Sequence, residues 1–228
     1  MSDATQAKRR AGERAVELVR EGMTLGLGTG STAYWAVARL GERVREGLRV
    51  RCVPTSRRTE EQARALGIPL TTFAEVRELD LTIDGADEIG PGLALVKGGG
   101  GALVREKLVA AASRRMVVVA DASKRVPVLG RFPLPVEVVP FAWEVTARRV
   151  AEVTRSEPAP RLEEGRLYLT DNGNYVLDCP CGEIKDPAAL ERELKLLPGV
   201  VESGLFVNLA DLAYVATDDG VETIKRDF

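Results

Sequence analysis

Four consecutive glycines, Gly98, Gly99, Gly100 and Gly101, stand between Lys97 and a helix-forming stretch that carries Glu106. Glycine loses more backbone freedom on folding than any other residue. A run of four is therefore costly unless the backbone must approach something closely or take up positive φ. Where such a loop enters a helix, its N–H groups form a concave array with the positive end of the helix dipole behind them, suited to a phosphate, carboxylate or enolate oxygen. On the glycines alone, a flexible surface loop is the competing reading. The surrounding stretch, DGADEIGPGLALVKGGGGALVRE (84–106), favours the first, because it places Asp84, Asp87 and Glu88 ahead of Lys97 and directly after a buried-looking strand.

The chain has no histidine. That removes Ser-His-Asp and Cys-His machinery, the usual imidazole base and nearly all zinc and iron sites. Proton chemistry near neutral pH would fall to a carboxylate, a lysine or a cysteine. The three cysteines, Cys52, Cys179 and Cys181, are too few for a disulfide framework, and the CPC triplet has no second pair to complete a tetrahedral metal site. The expectation is no metal. A net charge of −2 argues against a nucleic acid or an anionic membrane as partner. No apolar run approaches the roughly 18 residues of a membrane span, and the N-terminus reads as a charged amphipathic helix instead of a signal peptide. A cytoplasmic location is expected.

Taken in order, residues 3–21 carry a helical stripe (Ala7, Ala11, Ala15, Leu18, Val19), and 23–28 read as a short buried strand. The strand runs into GTGST (28–32) and a second helix. This glycine turn invites a dinucleotide reading, but the next strand, 48–53, ends in Pro54-Thr55-Ser56 with no acid for a ribose. A P-loop would need a lysine after the last glycine. What survives is an anion site built from the hydroxyls of Thr29, Ser31 and Thr32 at a helix N-terminus; a plain N-cap role for Ser31 or Thr32 is the alternative. A helix at 57–66 and a strand at 79–84 follow, the latter delivering Asp84 to its carboxyl end, where open parallel sheets bind ligands. After the glycines come a helix from Ala102 to about Ala112 and a strand at 115–121, with Lys124 just beyond.

Composition changes near Val126, with four prolines in 127–140. Strands around 135–139, Arg161, 166–170, 175–178 and 199–203, and helices at 142–154 and 187–197, suggest a ferredoxin-like insertion. Residues 212–220 read as a strand returning to the first sheet. The expected fold is α/β: a Rossmann-like open parallel sheet domain (1–126 and 206–228) with an inserted ferredoxin-like α+β domain (127–205).

GLGTGST (26–32), DGADE (84–88), KGGGGALVREK (97–107) and DASK (121–124), in that order and at those separations, make the chain similar to the type A ribose-5-phosphate isomerases. The likeness covers essentially the whole chain. It implies interconversion of D-ribose 5-phosphate and D-ribulose 5-phosphate through a cis-enediolate, without metal or organic cofactor, by a homo-oligomer, dimer or tetramer. It places substrate contacts on Thr29, Gly30, Ser31, Thr32, Asp84, Gly85, Ala86, Asp87, Lys97, Gly98, Gly99, Gly100 and Lys124. It implies Glu106 as the proton carrier, Lys97 and the glycine amides as donors to the enediolate oxygen, and Asp84 as the first choice for opening the sugar ring. Lys8 matches a family lysine near the phosphate. On spacing alone, Glu106 and Lys107 would more ordinarily be a solvated helix pair.

Overall fold

The computed structural model describes residues 3–226. They fall into two compact units, one made of the residues up to Ala86, Arg105–Arg125 and those from Asn208 onward, the other of Asp87–Val104 and Val126–Val207.

The first unit is built on a six-stranded sheet. From edge to edge it runs Gly220–Lys225, Leu212–Thr217, Met116–Asp121, Leu81–Asp84, Thr24–Leu27 and Arg51–Pro54. All neighbours are parallel except the terminal hairpin of Leu212–Thr217 with Gly220–Lys225. Thr24–Leu27 and Leu81–Asp84 are buried along their whole length, as strands covered on both faces must be. Ala11, Ala15 and Val19 from the N-terminal segment pack with Val37 and Leu40 of the helix Ala33–Arg45 against Leu25, Leu27, Ile83, Val117 and Val119. The chain passes from Thr24–Leu27 outward to Arg51–Pro54, then returns to Leu81–Asp84 on the other side of Thr24–Leu27. That reversal is a topological switch point, where diverging connections open a crevice beyond the carboxyl ends of the strands.

Gly26 sets how closely the helix Leu103–Ala111 approaches this sheet. A Cβ there would stand 2.0 Å from Thr82 Oγ1 and 2.5 Å from Val109 Cγ1. Only glycine admits that contact, and Val109 lies on the same helix as Glu106, one turn further on.

The second unit contains a four-stranded antiparallel sheet in the order Val200–Ser203, Leu134–Val138, Tyr175–Cys179, Ala159–Pro160. With the helices Trp143–Thr154 and Pro187–Lys195, this is two interleaved strand-helix-strand segments, the ferredoxin-like pattern. Leu134, Val136, Val138, Val150, Leu177 and Leu194 form its core. A three-stranded ribbon of Leu205–Phe206, Leu95–Val96 and Glu88–Ile89 ties Asp87–Val104 into this unit. The inserted segment expected at 127–205 thus shares its unit with the glycine loop.

Some element boundaries differ from expectation. The first helix ends at Val16, because the Leu18 and Val19 N–H groups reach back only three residues, to Ala15 and Val16. Of 166–170, only Arg166–Leu167 pairs, with Leu162–Glu163. The strand expected over 212–220 stops at Thr217 and turns at Gly220, at φ +152, into an edge strand that strand periodicity did not reveal.

Glu137 is a fully buried acid in the central strand of the second unit. Its Oε1 accepts from Thr170 Oγ1 (3.0 Å), Asn172 Nδ2 (3.2 Å) and Asn174 Nδ2 (2.8 Å), which pins the turn at 170–174 to the sheet. Glu137→Ala strands those donors without their buried acceptor and should cost on the order of 3 kcal/mol in a urea titration. An unchanged midpoint would mean that backbone bonds alone hold the turn.

Candidate active site

In the first unit, three of the expected segments meet at the carboxyl edge of the parallel sheet. The Asp84 carboxylate, wholly buried at the end of its strand, accepts on Oδ1 from the N–H of Thr29 (3.0 Å) and from its own neighbour Gly85 (2.7 Å). Gly28 passes so close that a Cβ would stand 2.1 Å from Asp84 Oδ1 and 2.4 Å from Asp84 Cα. The glycine turn and the acid are therefore one construction at the switch point. Gly30 bends the turn at φ +116, and Gly30 and Ser31 are exposed. Thr32 is the N-cap residue of Ala33–Arg45, yet its side chain makes no capping bond. The N-cap reading of Thr32 is thus not realised, and its hydroxyl sits at the start of the helix where an anion would bind.

The Thr29 hydroxyl turns into a cluster that sequence reasoning missed. It lies 2.7 Å from Thr55 Oγ1, 2.8 Å from Ser56 Oγ and 3.1 Å from Thr59 Oγ1, while Thr59 Oγ1 donates to the Gly28 carbonyl at 3.0 Å. The signal was present in Pro54-Thr55-Ser56, polar residues at a strand's carboxyl end. The hydroxyls lock the turn from the side of the neighbouring strand. Lys124 closes the 3₁₀ turn that follows Met116–Asp121, with Asp121 as its cap through the Ser123 N–H at 3.1 Å. Because Thr24–Leu27, Leu81–Asp84 and Met116–Asp121 are parallel, the GTGST turn, Asp84 and Lys124 share one edge of the sheet. Lys8 lies half-buried on the N-terminal helix.

In the second unit, Asp87 accepts the Gly99 N–H on Oδ2 at 2.7 Å, and its own N–H bonds to the Val96 carbonyl at 2.8 Å. The loop closes on itself through Gly101 N–H to Gly98 O, 2.9 Å, with Gly98 at φ +103 and Gly101 at φ +74. Two of the four glycine amides therefore already have acceptors, Gly99 in Asp87 and Gly101 in Gly98, which leaves those of Gly98 and Gly100 as candidate donors to a ligand. Lys97 is 1 % exposed, its backbone N–H bonded to the Gly204 carbonyl (2.8 Å) and its ammonium 5.5 Å from the centroid of the Phe206 ring. A lysine so deeply placed is not a solvating surface charge. Glu88 is a structural acid, its two oxygens accepting from Gly130 and Phe132 N–H, each at 2.7 Å.

Glu106 stands in the first turn of Leu103–Ala111, five residues after Gly101, and is 5 % exposed; Lys107 is 6 % exposed. The solvated helix pair is excluded by that burial. The thiols are also removed as proton carriers: burial pushes Cys52 up to about 12 and raises Cys179 and Cys181 as well. Any proton chemistry then falls to a carboxylate or a lysine. Among the described residues, no group of three or more His, Cys, Asp or Glu could hold a metal ion, and no helix is long and apolar enough to cross a membrane.

The family model for ribose 5-phosphate isomerase A (phosphoriboisomerase A) matches residues 51–220. The chain is 56% identical over 219 residues to ribose-5-phosphate isomerase A of Gloeobacter violaceus, covering 95% of both chains. Among solved structures it resembles ribose 5-phosphate isomerase A from Methanocaldococcus jannaschii, with TM-score 0.92, 42% identity, and 96% and 98% of the two chains covered. A D-ribose-5-phosphate isomerase in complex with phospho-erythronic acid superposes with TM-score 0.95 at 33% identity, over 99% and 100% of the chains. Matched by the family model over residues 51–220 and by these relatives over nearly its whole length, the chain belongs to the ribose 5-phosphate isomerase A family.

Proposed function

We infer that the chain interconverts D-ribose 5-phosphate and D-ribulose 5-phosphate, with Glu106 as the single base that carries hydrogen between C1 and C2. The observation that carries this reading is the burial of Glu106 in the first helical turn after the glycine loop, in a family member that has no histidine and whose thiols burial keeps protonated. An aldose–ketose isomerase removes a proton from the carbon beside the carbonyl, holds a cis-enediolate, and returns the proton to the neighbouring carbon. One carboxylate on one face of that planar intermediate serves both transfers.

The enediolate oxygen needs donors aimed at it, each worth about 10²–10³ in rate. The Lys97 ammonium and the amides of Gly98 and Gly100 supply them, while the Gly99 amide holds Asp87 in place. Asp84 takes the proton of the anomeric hydroxyl as the C1–ring-oxygen bond breaks and delivers it to the ring oxygen, and Gly85, Ala86 and Asp87 line the sugar. Ser31, Thr32 and the helix start take the phosphate, with Gly30 and Thr29 shaping the turn and Lys124 adding charge. Phospho-erythronic acid fits this scheme chemically, since its carboxylate puts two oxygens and a delocalised charge where an enediolate has them. The same reading includes a homo-oligomer, a dimer or tetramer, in the cytoplasm.

The direct test mixes purified protein with ribose 5-phosphate and follows the ketose by its absorbance. Turnover without added metal, abolished when ribose replaces the phosphorylated sugar, is expected, because binding energy from the remote phosphate is used to position the reacting carbons. Absence of ketose would refute the assignment for this chain.

A further inference from the structure

The glycine loop is held from outside by one arginine that none of the motifs includes. Arg161 lies between the short strands Ala159–Pro160 and Leu162–Glu163 and is half-buried. Its Nη1 donates to the Gly98 carbonyl at 2.8 Å and to the Gly99 carbonyl at 3.2 Å. The rest of the guanidinium is engaged by Asp178, Nε to Oδ2 at 2.9 Å and Nη2 to Oδ1. The Tyr168 ring lies against it, 5.9 Å from centroid to Cζ. The Tyr168 hydroxyl also abuts the loop, since a Cβ on Gly101 would stand 2.2 Å from it. Burial, followed by the nearby Asp171 charge, raises the Tyr168 pKa, so it stays a neutral phenol. The arginine backbone is fixed in turn, its N–H to the Val176 carbonyl (2.8 Å) and its carbonyl to the Tyr168 N–H (2.9 Å).

A trans peptide is planar, so a carbonyl held on one side aims the following N–H to the other. Arg161 on Gly98 O thereby aims the Gly99 N–H, which meets Asp87 Oδ2 at 2.7 Å. Arg161 on Gly99 O aims the Gly100 N–H away from the arginine in the same manner. Four glycines have no side chains with which to restrain themselves, and this loop needs an external clamp if its donors are to be preorganised. A planar fork that spans a carboxylate and two carbonyls is a task for arginine, which lysine cannot match.

We propose that Arg161 is a positioning residue for the isomerase reaction: by clamping the Gly98 and Gly99 carbonyls it presents the Gly100 amide to the enediolate oxygen. The proposal rests on the isomerase reading above and adds to it a residue that acts through the backbone of the glycine loop. In the full-length protein, Arg161→Ala should lower kcat for ribose 5-phosphate about 10- to 100-fold while KM stays within about threefold. Affinity for phospho-erythronate should fall in step with kcat, while affinity for inorganic phosphate is unchanged. Amide hydrogen exchange over residues 97–104 should accelerate. Arg161→Lys, which reaches a carbonyl but cannot fork to Asp178 as well, should recover part of the loss.

Unchanged exchange in the loop, or a loss that appears wholly in KM, overturns the proposal. If Arg161→Ala does not fold, Asp178→Asn carries the same test, because it leaves the arginine in place and removes half of its anchor. Should the unaltered protein lack isomerase activity, the reaction assignment fails, and the exchange comparison still decides whether Arg161 holds the loop.

Discussion

Glu106→Gln should leave a folded protein that binds phosphosugar yet isomerises it about 10²–10⁴-fold more slowly, the usual contribution of a positioned base. Glutamine keeps the size of the side chain and its place in the first turn of Leu103–Ala111, so packing against the sheet through Val109 is retained. What is lost is the ability to take a proton from carbon. The effect belongs in kcat, because a residue that acts only in proton transfer contributes little to ground-state binding. Circular dichroism and a thermal melt check the fold, and phospho-erythronate titration checks the binding. Near-normal turnover would remove Glu106 from the role of base and leave Lys97 and Asp84 to be tested in its place.

The second large effect is expected at Gly28. An alanine there puts a methyl group 2.1 Å from Asp84 Oδ1 and 2.4 Å from Asp84 Cα, distances at which something must move. Backbone cannot yield cheaply here. The Gly28 N–H is bonded to the Ile83 carbonyl at 2.9 Å, the Gly28 carbonyl accepts from Thr59 at 3.0 Å, and the two strands pair in parallel register from Leu25↔Leu81 onward. The strain separates the GTGST turn from Asp84, breaking the 3.0 Å bond from Thr29 N–H. Stability should fall by about 1–3 kcal/mol, the usual penalty of overpacking. Activity should fall further, by about 10²-fold, because a displacement near 1 Å misplaces the reacting groups. A Gly28→Ala protein with both properties intact would show that the turn and the acid are not mechanically joined.

The parallel sheet was legible because buried strands such as Leu81–Asp84 and Met116–Asp121 are rich in apolar and β-branched residues, and their polar ends announce a carboxyl edge. The ribbon of Glu88–Ile89, Leu95–Val96 and Leu205–Phe206 was not legible, since two-residue strands have no periodicity to detect. Glu88 stands in the sequence as a third acid beside Asp84 and Asp87, and only the fold shows it to be the acceptor for the Gly130 and Phe132 amides, partners more than 40 residues away in the chain. Thr55, Ser56 and Thr59 were visible as polar residues, but only pairing of Arg51–Pro54 beside Thr24–Leu27 shows that they grip Thr29.

By itself the order of residues established the absence of imidazole chemistry, the glycine loop entering a helix, the acid at a strand's carboxyl end, and four motifs whose combination points to one family. These are matters of residue type and local spacing, which need no knowledge of distant contacts. Tertiary structure alone decided that Glu106 and Lys107 are buried, that two glycine amides are already engaged, that Asp87 grips the loop, and that Arg161 bonds it from between two short strands some 60 residues downstream. Burial and hydrogen-bond partnership depend on which segments the fold brings together, and a linear sequence carries no record of that until the chain has closed on itself.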